Sequence, residues 1–280
     1  MRVSKTLMRG LTLLETIDAH GPITIMELAR LSDADKSIIS RNVGALEHEG
    51  WVVRVGGKIE LGPRAALLGH SSPAGDALRR AEPLVHAVAG VTGMLTQAYG
   101  LVGTRAVVLA AANGRGPSTP IGLGSGIPLF ATAAGKVIAA QLDAAELDRR
   151  LPPEPYPDPG PEIAQLAGYP PVAGALRVSP EEALASSVTV ARSRRELEGQ
   201  LEEVRQQGLA TDHGEFHPQL GCIAMPWPQP GVPAALACMG SPSELAGIHE
   251  VVETALNAAT AAGAQPQDVV AGAAQALATV

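Results

Sequence analysis

Residues 22–61, PITIMELARLSDADKSIISRNVGALEHEGWVVRVGGKIEL, constrain this chain more than any other stretch. They predict two short helices around a tight turn, followed by a hairpin with a Gly56-Gly57 tip. That order is a helix-turn-helix with a β-wing, an arrangement that lays its second helix in a DNA groove. The rest of the chain then reads as what controls that helix.

The local signals are specific. Leu7, Leu11, Leu14 and Ile17 recur at spacings of four, three and three, which predicts a helix over 4–19 with those residues on its buried face. Gly21-Pro22 stops it. Thr24 and Glu27 form a capping box that starts a helix running to about Leu31. Ser32-Asp33-Ala34 is the turn. Asp35 caps the next helix, which runs to about Glu49 and ends at Gly50. On that helix Ile39, Val43 and Leu46 point toward a core. Ser37, Ser40, Arg41 and Gly44 share another face, with Lys36 beside its start. Small residues permit close approach to a groove, cations neutralise phosphate or read guanine, and hydroxyls bond to either. The plain alternative is a solvated polar face, which many helices have. The hairpin shifts the balance. Trp51 to Val55 and Lys58 to Leu61 flank the two-glycine turn. Arg54 and Lys58 stand beside it, placed for backbone phosphate or the minor groove.

Charge alone does not suggest nucleic acid, since the formal net charge is −7. It is divided unevenly. Residues 1–70 carry nine Lys/Arg and eight Asp/Glu, whereas residues 71–280 carry twelve and twenty. A clustered basic patch serves DNA, and an acidic remainder discourages non-specific wrapping. The length allows two domains. No apolar run is long enough for a membrane span, and no leader pattern opens the sequence. The two cysteines, Cys222 and Cys238, do not make a disulfide framework, so a cytoplasmic location is expected.

Beyond residue 63 the pattern changes. Residues 64–91 read as a partly helical linker. Leu101–Ala111 reads as an apolar strand, Asn113–Gly116 as a turn, and Ala131–Leu142 as a helix. Glu196–Gln207 reads as an amphipathic helix stopped by Gly208. Leu209–Asp212, Cys222–Met225 and Ala234–Met239 read as short strands. Residues 152–188 hold a Pro-rich run, PPEPYPDPGP, read as a surface insertion extended in its first half. The Ala/Gln-rich tail, 264–280, is read as helical or frayed.

Three motifs in order resemble the IclR family of transcriptional regulators over nearly the whole length. The first is Glu27-Leu28-Ala29, then Lys36-Ser37, then Arg41. The second is Pro128-Leu129-Phe130-Ala131-Thr132-Ala133-Ala134-Gly135-Lys136. The third is Gly221-Cys222-Ile223-Ala224-Met225-Pro226. The resemblance implies a two-domain α/β chain. A winged helix-turn-helix domain (1–63) would be joined by a linker helix (64–91) to a GAF-like effector-binding domain with an antiparallel sheet (92–263). It further implies a homodimer or homotetramer on double-stranded operator DNA, with no membrane partner and no cofactor. The effector site would use the Ala133 and Ala134 amides with Asp212 and Cys222. Relatives commonly carry an A-L-S-x-S-G strand. Aligned on Gly240, this chain has Ala237 and Met239 in place of both serines.

Other chemistry is weaker. Gly126 to Lys136 invites a phosphate-loop reading that fails, because Phe130 and Val137 stand where the template needs Gly and Ser or Thr. His213, Glu215 and His217 would share a strand face and could hold zinc. A fourth ligand is missing, and a solvated loop is favoured. Cys222 has no basic neighbour in sequence to activate it. No nucleophile motif is present, so an enzyme is not read. The competing interpretation keeps a small-molecule enzyme or metal-binding domain, with the helix-turn-helix used for protein contacts.

Overall fold

The computed structural model describes residues 4–68, 72–114, 121–159, 190–217, 220–261 and 263–277. The chain separates into two compact units, Met1–Ser72 and Pro73–Val280.

The first unit holds α1 (Lys5–His20), α2 (Ile25–Leu31), α3 (Lys36–His48), the hairpin β1 (Val52–Val55) and β2 (Lys58–Leu61), and α4 (Pro63–Leu67). The starts of α1, α2 and α3 are capped by side chains. The Ser4 and Asp35 side chains accept from the amides of Leu7 and Ser37, and Thr24 and Glu27 close a complete capping box. Gly56 and Gly57 both have positive φ, which is what a two-residue turn between twisted strands requires. Ile23 bridges to Ile59, so the segment between α1 and α2 adds a third extended piece to the wing. Leu13, Ile17, Leu28, Ile39, Val43, Val52 and Ile59 are buried together. The expected buried face of α1 needs correction. Leu7 is 62% and Leu11 46% exposed, Leu14 is half-buried, and the buried residues are Leu13 and Ile17. Only the C-terminal half of α1 reaches the core, so the stripe read from Leu7 onward continues into solvent.

The second unit is built on a six-stranded antiparallel sheet in the order β5-β4-β3-β8-β7-β6. Its strands are β3 (Leu95–Val102), β4 (Arg105–Ala112), β5 (Gly126–Pro128), β6 (Ala210–His217), β7 (Leu220–Pro226) and β8 (Ala234–Gly240). Its helices are α5 (Pro73–Thr92), α6 (Ala133–Ala140), α7 (Ala144–Asp148), α8 (Arg194–Gln207), α9 (Pro242–Gly247), α10 (His249–Thr260) and α11 (Pro266–Leu277). Strand periodicity divides two cores. On β8, Ala235 and Ala237 pack with α6 and α8 on one face, while Leu236 and Cys238 pack with α5 and α10 on the other. The stretch read as a linker contains α5, which packs on β3 and β4, and the tail contains α11, which packs on α5 and α10.

Three expectations change here. Leu101–Ala111 is not one strand. It spans the end of β3, a turn in which Gly103 has φ +59°, and most of β4. The first half of the Pro-rich run is not simply a surface loop, because Tyr156 is buried with its ring centroid 5.0 Å from that of Phe130. His213, Glu215 and His217 lie on β6 rather than in a loop, and their side chains fall outside the described residues. So do residues 160–188 of the insertion. Among the described residues no helix is long and apolar enough to cross a membrane.

Candidate nucleic-acid interface and effector cavity

On α3 the two faces separate as hydrophobic spacing demands. Ile39 and Val43 are fully buried and Leu46 partly so. Lys36, Ser37, Ser40, Arg41 and Gly44 are all exposed. The Asp35 carboxylate caps this helix, and the Ser37 hydroxyl and backbone amide hold it below the usual carboxylate range. Hydrogen bonds from the Thr24 backbone and then its hydroxyl do the same for Glu27 on α2. These caps fix the start of each helix, so the exposed face of α3 keeps one orientation within its domain. The Arg41 Nε lies 3.4 Å from the Ser37 carbonyl oxygen, a weak contact that leaves the guanidinium at the surface.

The two wing cations differ. Arg54 donates from Nε to Glu47 at 2.9 Å, which ties β1 to the last turn of α3. Lys58 is exposed at the turn, opposite Val55 in the hairpin register. At the wing's base Arg64 bonds Glu49 at 2.8 Å and lies 5.8 Å from the Trp51 ring centroid.

In the second unit, the sheet brings distant residues to the N-terminus of α6. A narrow cavity of about 20 Å³ is lined by Tyr99, Ile121, Ile127, Thr132, Ala134, Asp212, Leu220, Cys222 and Met239. Asp212 and Cys222 are direct register partners, and Cys222 pairs in turn with Met239. Ala134, Asp212, Cys222 and Met239 of the expected set are therefore together. Ala133 and Ala237 are fully buried nearby but do not line the cavity. Thr132 caps α6 by accepting the Gly135 amide at 3.0 Å. Among the described residues the Ala133 and Ala134 amides have no acceptor. Gly135 is required there, since a Cβ would lie 2.5 Å from the Pro128 carbonyl oxygen.

Sequence reading missed Tyr99 on the cavity wall and the Gln97 amide that holds it. The buried Tyr99 hydroxyl donates to Gln97 Oε1 at 2.5 Å, and Gln97 Nε2 donates to the Ile121 carbonyl at 2.8 Å. Burial raises the Tyr99 phenol well above its ordinary range, with the Cys222 thiol adding to this. Burial, then the Asp212 charge, pushes the Cys222 thiol well up, and burial pushes Cys238 up to about 12. Both thiols are neutral and poor nucleophiles at ordinary pH. A larger cavity of about 290 Å³ adjoins Asp212 and Cys222 on the side of Pro242, Leu245 and His249.

Residues 6–56 match the model of the IclR helix-turn-helix domain. No curated protein matches the chain in sequence. Three solved structures align over nearly its full length. A transcriptional regulator from Rhodococcus sp. RHA1 is 21% identical, with 99% of each chain covered and a TM-score of 0.58. The Thermotoga maritima IclR is 20% identical, covering 91% of this chain and 97% of its own, with a TM-score of 0.57. An IclR homologue from Microbacterium hydrocarbonoxydans, complexed with 4-hydroxybenzoate, is 18% identical, with 99% and 100% covered and a TM-score of 0.58. At these identities the likeness shows the fold. The N-terminal domain is therefore similar to the IclR helix-turn-helix, and the whole chain has the fold of these solved structures.

Proposed function

We propose that this regulator binds near-palindromic operators as a homodimer or homotetramer and that a small molecule in the 73–280 unit modulates the binding. The observation that carries the DNA reading is α3, whose buried Ile39 and Val43 leave Lys36, Ser37, Ser40 and Arg41 on one exposed face. One such helix in each copy of a symmetric dimer reads one half-site. Arg54 and Lys58 hold the flanking backbone. Effector binding shifts the population between DNA-competent and incompetent arrangements.

The effector cavity is nearly closed, with room for about one water. Met239 occupies the space where relatives carry a serine. A ligand enters by displacing that flexible thioether, so its body is apolar. The Ala133 and Ala134 amides at a helix N-terminus, with Asp212 and Cys222, take a single polar end. Small oxygen-rich acids would leave groups unpaired, at a cost of about 1–3 kcal/mol each. The 4-hydroxybenzoate held by the Microbacterium homologue is a compound of the favoured shape. Calorimetric titration tests this. Compounds with an apolar ring and one polar end should bind, and glyoxylate and pyruvate should not. Tight pyruvate binding that weakens in Asp212→Ala would overturn the assignment.

A further inference from the structure

A separate cavity of about 240 Å³ lies in the 73–280 unit and shares no lining residue with the effector cavity. Arg105, Arg149 and Arg150 are among its lining residues. Asp143 caps α7 through the Glu146 amide, and this short helix delivers Arg149 and Arg150 at its C-terminal end. The two guanidinium groups share one carboxylate, that of Glu146. Arg150 also donates from Nη1 to the Glu146 carbonyl at 3.2 Å, yet its Nε is buried with no acceptor among the described residues. A buried N–H without an acceptor is costly, and a ligand oxygen would relieve that cost. Apart from Thr104 the remaining lining is apolar: Phe130 is buried, with the Tyr156 ring beside it, and Leu129, Leu151, Pro152 and Pro157 also line the cavity.

We infer that this cavity is a second ligand site, for a small carboxylate with a flat apolar body. The carboxylate sits on Arg149 and Arg150, whose forked donors match its two oxygens. The body lies against Phe130 and the prolines. Inorganic phosphate fits the arginines but leaves the apolar wall unused. A neutral amide of the same shape fits the wall but gains nothing from two guanidinium groups.

The test is calorimetric titration of the full chain with sodium benzoate, benzamide and inorganic phosphate. Benzoate also has the shape proposed for the effector cavity, so the readout is the component of binding that Arg149→Gln/Arg150→Gln removes. Benzoate should show such a saturable component, and that of benzamide and of phosphate should each be at least tenfold weaker. The double variant should keep its thermal midpoint. Asp212→Asn, which alters the effector cavity, should leave the arginine-dependent component intact. If the double variant does not fold, Arg149→Gln alone, at a largely exposed side chain, should still weaken it. The proposal fails if benzoate shows no arginine-dependent saturable binding, or if phosphate or benzamide shows such a component as tightly. It also fails if Asp212→Asn is the variant that removes that component.

Discussion

The outer face of α3 and the cavity beside α6 are the two regions on which the proposed function rests, and they are built in opposite ways. The α3 face is open. Its residues come from nine consecutive positions, 36–44, and its buried partner face lies on the same helix. The cavity is narrow, and its lining is gathered from positions 99 to 239 by strand register. A helix face is specified by local periodicity. A sheet cavity is specified by pairing, which one segment alone does not contain. Substitutions on the α3 face should therefore change binding without changing the fold, whereas substitutions beside α6 should disturb both.

The largest effect is expected at Gly135. A Gly135→Val side chain would collide with the Pro128 and Leu129 carbonyl oxygens where α6 meets the end of β5. Overpacking of this kind costs about 3 kcal/mol. Urea denaturation should show it as a lower midpoint for the second unit. An unchanged midpoint would mean that the start of α6 is not the tight junction described.

Arg41→Ala comes next. It touches no buried position, so the midpoint should hold while operator binding weakens by about 1–3 kcal/mol, the worth of a base contact. Wild-type affinity at the same salt would remove this face from the interface.

The wing sharpens the contrast within the DNA-binding unit. Lys58→Gln should weaken all DNA sequences alike and reduce the salt slope by about one. Arg54→Gln should do less to DNA and instead release the Glu47 pair, worth about 0–1 kcal/mol at its exposure. A change in sequence preference from Lys58→Gln would place the wing in direct readout.

Last comes a pH dependence that is absent at neutral pH and appears only in alkali. Folding holds the Cys238 thiol at about 12, above its ordinary value of 9.0. Between those values the unfolded chain has lost a proton that the folded chain keeps. This contribution is therefore complete below pH 9 and lost as pH rises toward 12. Cys238→Ala should flatten the loss over that window. Iodoacetamide at pH 8 should not label the buried Cys238 until denaturant is added, and its rapid labelling in the folded chain would show that this thiol is accessible.

The same contrast explains what was legible in the sequence. The capping box at Thr24 and Glu27, the Asp35 cap and the Gly56-Gly57 turn each act within a few residues, and all stand as expected. In the second unit Ala134, Asp212, Cys222 and Met239 could be placed through motifs, but Tyr99 and Gln97 could not. They sit on β3 ahead of the Leu101–Ala111 run, in a segment that carries no motif of its own. The burial of Tyr156 was hidden for a related reason. Its neighbours are prolines, and its partner Phe130 lies 26 positions earlier in the chain. The α9 and α10 helices are a different case. Ser241 and Glu244 make a readable capping box, and Val251, Val252, Ala255, Leu256 and Ala259 have helical spacing. That signal is local, and it is legible in the sequence.

The most direct test of the central claim is fluorescence anisotropy with the full chain and duplexes tiling the DNA upstream of its own gene. A shuffled duplex is measured beside them across a series of salt concentrations. The account expects at least one duplex to bind at least about a thousandfold more tightly than the shuffled control, with affinity falling steeply as salt rises. Equal affinity for every upstream duplex and the shuffled control would contradict it.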